Sequence, residues 1–143
     1  LMNQMLCQIE KQGEGSILNV ASSAGLLPAG PYMATYYATK SYVTSLTRAV
    51  ALELKEKKSN VYVGALCPGP VDTEFNKVAN VEFAIPSITP TYCASYAIRK
   101  MKKRKIVIVP KNKMKVLAFI SRVLPQSLVI RMTARQQKKK RNW

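Results

Sequence analysis

Tyr36 and Lys40 stand four residues apart in Tyr36-Tyr37-Ala38-Thr39-Lys40, and the pair Ser22-Ser23 lies upstream, with Ser22 fourteen residues before Tyr36. On a helix, positions four apart share one face, one turn from each other. An ammonium held beside a phenol favours phenolate and lowers the phenol's pKa. A serine delivered to the same place from a neighbouring strand can hydrogen-bond a carbonyl oxygen. Together these groups can move a proton between a carbonyl and an alcohol. The four-residue spacing alone is common on helix surfaces. Its chemistry therefore depends on what the surrounding elements bring to it.

Composition narrows the alternatives. The chain has 143 residues and no histidine, a length that suits one domain with a modest core. Histidine metal sites and Ser-His-Asp triads are excluded within it. No metal site is expected, and acid–base work falls to Tyr, Lys or a carboxylate. Cys7, Cys67 and Cys93 are scattered, with no C-x-x-C pair. That sparse, odd count fits a reducing compartment and predicts a cytoplasmic location. Nothing near the start reads as a secretory signal.

The elements that must position the pair can be read from periodicity. Leu1–Lys11 reads as the end of an amphipathic helix, and Leu1 is not an initiator, so the chain is expected to be the C-terminal part of a longer protein. Gln12–Gly15 reads as a turn around Gly13 and Gly15. Ser16–Ala21 is a short apolar run suited to a buried parallel strand. It leads into Ser22-Ser23-Ala24-Gly25, and ligands of open α/β sheets bind beyond strand C-termini. Leu26, Leu27, Tyr32 and Met33 lie in the loop that follows, near the candidate site. From 34 to 57 apolar residues recur at helical steps, with Ala34, Ala38, Ser41 and Ser45 as a small-residue face that could serve a homo-oligomer contact. Val61–Cys67 is a second strand. Strand, helix and strand in this order predict a right-handed parallel unit.

Past the second strand, Cys67-Pro68-Gly69-Pro70-Val71-Asp72-Thr73 forces an open turn at the same sheet edge. Phe75–Thr89 lacks a period and reads as a loop or short helix, with Phe75, Val78, Val81, Phe83 and Ile85 able to close over an apolar substrate. Thr89-Pro90 predicts a capped helix start, with the helix running to about Lys103. Ile106–Val109 is a third strand, and Lys113–Val123 and Gln126–Gln137 are further helices around Pro125. The predicted fold is α/β, a parallel sheet of three strands with their helices, over 1–110. A basic helical extension covers 111–143.

The net charge of +16 is concentrated at one end. Residues 1–98 hold seven basic and seven acidic residues, whereas 99–143 hold sixteen Lys/Arg and no Asp or Glu. This asymmetry suggests an anionic partner for the extension, a membrane surface before a nucleic acid. Val116–Ile130 is too short and too interrupted by Pro125 to span a bilayer, so a peripheral, interfacial mode is expected. A specific nucleic acid is not expected, because aromatic and basic residues do not interleave.

Three motifs in order, Ile17–Gly25 (Ile-Leu-Asn-Val-Ala-Ser-Ser-Ala-Gly), Tyr36-x-x-x-Lys40 and Pro68-Gly69-x-x-x-Thr73, resemble the second half of the short-chain dehydrogenase/reductase family. The resemblance covers about residues 1–110 and implies a partial Rossmann-like doubly wound parallel sheet, of which these would be the last three strands and their helices. It implies an oxidoreductase that transfers a hydride between a nicotinamide cofactor and an apolar ketone or secondary alcohol. NADP or NAD would serve, with NADP slightly favoured. By the resemblance, Ser22 would bind the substrate carbonyl, with Ser23 ranked second. Tyr36 would be general acid in reduction and base in oxidation. Lys40 would lower the tyrosine's pKa and hold the cofactor's ribose hydroxyls, and Pro68, Gly69, Val71 and Thr73 would contact the nicotinamide end. Tyr37 fails the spacing and reads as a packing residue. The family's glycine-rich phosphate loop has no counterpart in the 143 residues, so the chain by itself is expected to be inactive or unstable. The alternative is a non-enzymatic basic module that binds an anionic membrane surface.

Overall fold

The computed structural model describes residues 2–74 and 86–140. The apolar loop residues Phe75, Val78, Val81, Phe83 and Ile85 lie outside the described residues. The element order is helix α1 (Met2–Gln12), strand β1 (Glu14–Val20), a 3-10 turn (Ser23–Leu26), α2 (Ala34–Glu56), β2 (Asn60–Leu66), α3 (Pro90–Lys102), β3 (Val107–Ile108), α4 (Asn112–Val123) and α5 (Gln126–Lys140). The three strands form one parallel sheet in the order β1-β2-β3. Glu14 pairs with Asn60 and Val20 with Leu66, while Leu66 also pairs with Ile108. The expected α/β, doubly wound class is the observed one.

Alternation along the strands decides which helix covers which face, since successive side chains point to opposite sides. Ile17, Val61 and Val63 pack with Val50 and Leu54 of α2, and Leu6 and Ile9 of α1 close over them. Leu66 and Ile108 point the other way, onto Cys93, Tyr96 and Ala97 of α3. At the C-terminal end of the sheet a third cluster joins Ala21, Ala65, Cys67 and Val109 to Met114 of α4. Residues 61–66 of β2 are all buried, as befits a central strand with helices on both faces. Val20 at the end of β1 stays 64% exposed.

One expected turn is corrected. β1 begins at Glu14, two residues earlier than expected, so the break before it contracts to Gly13, which takes φ +83. Gly15 belongs to the strand and serves packing, because a Cβ there would overlap the Ile9 side chain. The α3 start agrees with its Thr-Pro signal: the Thr89 side chain accepts from the Tyr92 N–H at 3.2 Å, and Pro90 opens the helix. After the Pro-Gly-Pro turn, Val71 bridges Ile88 in parallel fashion. The bonds run from the Ile88 N–H to the Pro70 carbonyl and from the Asp72 N–H to the Ile88 carbonyl. That leaves the peptide groups of Val71 itself directed to the opposite side of the segment.

The C-terminal helices fold back onto the sheet domain. Lys115 of α4 donates to the Tyr96 hydroxyl of α3 at 3.1 Å and pulls the pKa of that phenol down. Gln137 near the end of α5 is buried and donates to the Tyr37 hydroxyl of α2 at 2.9 Å. Among the described residues, no helix is long and apolar enough to cross a membrane.

Candidate active site

Ser22 lies two residues beyond β1, on extended backbone (φ −166, ψ 160), and caps the 3-10 turn. Its Oγ accepts from the Ala24 N–H at 3.1 Å, and the residue is 8% exposed. Parallel pairing continues past the named strands. The Ala21 N–H donates to the Leu66 carbonyl and the Ser23 N–H to the Pro68 carbonyl, each at 2.8 Å. These two bonds set the serine loop directly beside the Pro-Gly-Pro turn. The serine's acceptor side is used by its own turn, so the hydroxyl hydrogen remains able to donate.

Tyr36 sits in the first turn of α2 and Lys40 one turn further on. The Lys40 Nζ lies 5.8 Å from the centroid of the Tyr36 ring. It also donates to the carbonyl oxygen of Val20 at 3.1 Å. This bond spans twenty residues and fastens the helix to the end of β1, two residues from Ser22. The structure thus places Ser22, Tyr36 and Lys40 around the C-terminal end of one strand.

Glycine makes that approach close. A Cβ at Gly25 would overlap the Lys40 carbonyl oxygen and the Thr44 hydroxyl. Thr44 is fully buried and donates back to the Lys40 carbonyl at 2.8 Å. Its Oγ1 also lies 3.8 Å from the Cys67 thiol. Burial pushes the Cys67 thiol's pKa up, and its contacts with the Thr44 hydroxyl and the Ser22 backbone oppose the rise. Cys67 is therefore a buried spacer between strand and helix rather than a reactive thiolate.

The turn residues divide. Pro68 receives the Ser23 N–H, Gly69 lies against the Met114 side chain, and Val71 is half-buried against the Leu66–Ile108 cluster. Thr73 is exposed, two residues past the Val71–Ile88 bridge. Of the loop residues expected near the site, Leu26 turns inward to the Cys67–Met114 cluster. Tyr32 is 42% exposed, adopts φ 68, and has the Lys138 Nζ 5.5 Å from its ring centroid. Ser41, Tyr42 and Ser45 of α2 line a groove with Pro28, Ala29 and Pro31. Among the described residues, no three His, Cys, Asp or Glu side chains gather as metal ligands.

Tyr37 has more than a packing role, which the sequence did not signal. Its ring fills the space left by Gly30 and meets Tyr36 edge-on with centroids 6.3 Å apart. Burial pushes the Tyr37 phenol's pKa up, the bond from Gln137 opposes this, and Tyr36 adds to the rise. The partner stands a hundred residues away, beyond any local pattern. Gln137→Ala is expected to leave the Tyr37 hydroxyl buried without this partner and to destabilise the fold by about 1–3 kcal/mol. Tyr37→Phe made on top of it should add little further loss. Urea denaturation of the two variants checks this, and full additivity would show that the two groups are not coupled.

Comparison with known proteins places the chain. The profile described as short chain dehydrogenase matches residues 1–82, more than half of the chain. A D-beta-hydroxybutyrate dehydrogenase of Rhizobium meliloti (strain 1021) is 45% identical over 65 residues, which cover 46% of this chain and 24% of that protein. Among solved structures, one from work on 7beta-hydroxysteroid dehydrogenase stereoselectivity superposes with a TM-score of 0.76 at 22% identity. It covers 92% of this chain and 51% of the other. A short-chain dehydrogenase from Sphingobium yanoikuyae in complex with NADPH gives a TM-score of 0.64 at 24% identity, over 81% of this chain and 46% of the other. At these identities the structural likeness carries the fold, and the chain spans about half the length of those structures.

Proposed function

Because the chain belongs to the short-chain dehydrogenase/reductase family, we propose that it forms the catalytic half of an oxidoreductase that interconverts an apolar ketone and its secondary alcohol with NADP or NAD. The observation that carries this reading is the Lys40 bond to the Val20 carbonyl. It brings the Tyr36–Lys40 helix face to the strand end where the Ser22 hydroxyl stands.

The residues present suit the nicotinamide end of a dinucleotide. Lys40 uses one ammonium hydrogen on Val20, and an ammonium has three. Two remain for ribose hydroxyls. Pro68, Gly69 and Val71 form the adjoining wall. Thr73 stands at its outer end. When bound, the cofactor supplies the hydride chemistry. In reduction, Ser22 donates its hydroxyl hydrogen to the substrate oxygen and orients the carbonyl. Tyr36 releases its phenolic proton to that oxygen, and Lys40 stabilises the phenolate left behind. In oxidation the same phenolate takes the alcohol proton.

The sequence has no glycine-rich phosphate loop between a strand and a helix. Activity on this reading requires a dinucleotide phosphate-binding unit in addition to these residues. The exposed small-residue groove on α2 is the proposed homo-oligomer contact. Lys40→Met is expected to weaken NADPH binding about tenfold in the intact protein, the effect of losing charged hydrogen bonds to the ribose. Fluorescence titration with reduced nicotinamide measures it. Equal affinities would remove Lys40 from the cofactor site. Failure of the intact protein to oxidise either NADPH or NADH with a range of apolar ketones would overturn the whole reading.

A further inference from the structure

Helix α4 (Asn112–Val123) presents two apolar faces. One carries Met114, Leu117, Ala118 and Ser121, and it packs inward: Met114 and Ser121 are buried, while Leu117 and Ala118 are half-buried. The other carries Val116, Phe119, Ile120 and Val123, which are 56%, 68%, 44% and 72% exposed. Steps of three, one and three place these four side chains in one stripe, roughly opposite the buried face at about 100° per residue. Lys113 flanks the stripe on one side, and Lys115 and Arg122 on the other. Leu128 and Met132 of α5 are also about half exposed. Six of the fourteen exposed large hydrophobic residues of the described structure therefore fall between 116 and 132.

Charge indicates what covers the stripe. The segment 99–143 holds sixteen basic residues and no acidic one. A protein-interface core is depleted of lysine, whereas an apolar stripe whose flanking charges are all lysine and arginine suits the boundary between acidic head groups and acyl chains. Geometry agrees. A twelve-residue helix is about 18 Å long, short of the ~30 Å hydrocarbon core, so it can lie in the plane but not span. Its stripe points away from the sheet, and the inward face is already occupied.

We propose that α4 is an in-plane membrane-docking helix that seats Val116, Phe119, Ile120 and Val123 in the surface of an anionic bilayer. Lys113 and Arg122, which flank the stripe, contact the acidic head groups. Docking adds to the enzymatic reading and does not depend on it. An apolar substrate that partitions into lipid would then reach the enzyme at the membrane surface.

The experiment is flotation of the intact protein with vesicles of phosphatidylcholine alone and of equal parts phosphatidylcholine and phosphatidylserine. Binding is expected to the mixed vesicles and to weaken with added salt. The double variant Phe119→Glu/Val123→Glu is expected to partition at least about tenfold less, since two exposed apolar anchors are lost and two acidic charges gained. Hydrogen exchange on the unaltered protein gives a second readout that does not depend on the variant's folding. Peptides covering 112–123 are expected to gain protection with mixed vesicles and none with phosphatidylcholine. Equal binding by the double variant would assign the attraction to the basic tail and overturn the docking helix. So would absence of binding, or protection of 112–123 that rises with protein concentration without lipid, the mark of a second copy.

Discussion

Substituting Tyr36 by phenylalanine is expected to lower kcat by about 10^2- to 10^4-fold, the range that a positioned proton donor contributes. NADPH affinity should stay within about twofold, since one neutral hydrogen bond is modest in net terms. The ring that sits beside Lys40 is retained, so the helix face and the Lys40–Val20 bond keep their geometry. Only the transferable proton is removed. Tyr37→Phe is the matched control. Its hydroxyl is buried, bonded to Gln137 and disfavoured for ionisation, so its loss should act on stability and leave kcat nearly unchanged. Steady-state kinetics of both variants in the intact protein decide the matter. Undiminished turnover by Tyr36→Phe would remove Tyr36 as the proton carrier, and absence of turnover in both forms would favour the non-enzymatic reading. A collapse in Tyr37→Phe alone would exchange the roles of the two tyrosines.

The second large effect is expected at Gly25. Alanine there would place a methyl group against the Lys40 carbonyl and the Thr44 hydroxyl, and the first of these is backbone of α2. Neither neighbour can swing aside as a flexible side chain would, because Thr44 is itself bonded to that carbonyl and fully buried. Relief requires the helix or the serine loop to move. Overpacking of this kind costs about 1–3 kcal/mol. A shift of about 1 Å between Ser22 and the Tyr36–Lys40 face is enough to cost about 10^2-fold in rate. Gly25→Ala is thus expected to lower both the denaturation midpoint and kcat, with KM changing less. Wild-type kcat in a folded Gly25→Ala variant would show that the contact does not position the catalytic groups.

Local order carried much of the architecture. The Thr89-Pro90 start, the apolar runs of β1 and β2, and the helical period from 34 to 57 were all legible, because each depends on neighbours within a few residues. The turn expected at 12–15 contracts to Gly13. Gly13 and Gly15 look alike in sequence, but one needs a positive φ and the other needs room for Ile9. That distinction exists only once α1 lies on β1. The candidate site is read from residue types and spacing. What stayed hidden was how it is fastened: the Val20 carbonyl as anchor for Lys40, the buried Thr44 and Cys67 between helix and strand, and Gln137 on Tyr37.

The helix face shared by Tyr36 and Lys40, the strand–helix–strand order and the one-sided charge of 99–143 are legible from sequence. All three are short-range properties, set by helical and strand periods and by composition. Tertiary structure alone decided which groups meet across twenty or a hundred residues, and which face of α4 is covered. Hydropathy would bury Val116, Phe119, Ile120 and Val123, the more apolar side. The fold buries Met114, Leu117, Ala118 and Ser121 instead, where small residues let the helix approach the sheet end, and leaves the larger side outward. Periodicity fixes the phase of a stripe on its helix, but close packing against the rest of the molecule chooses which stripe becomes the inside.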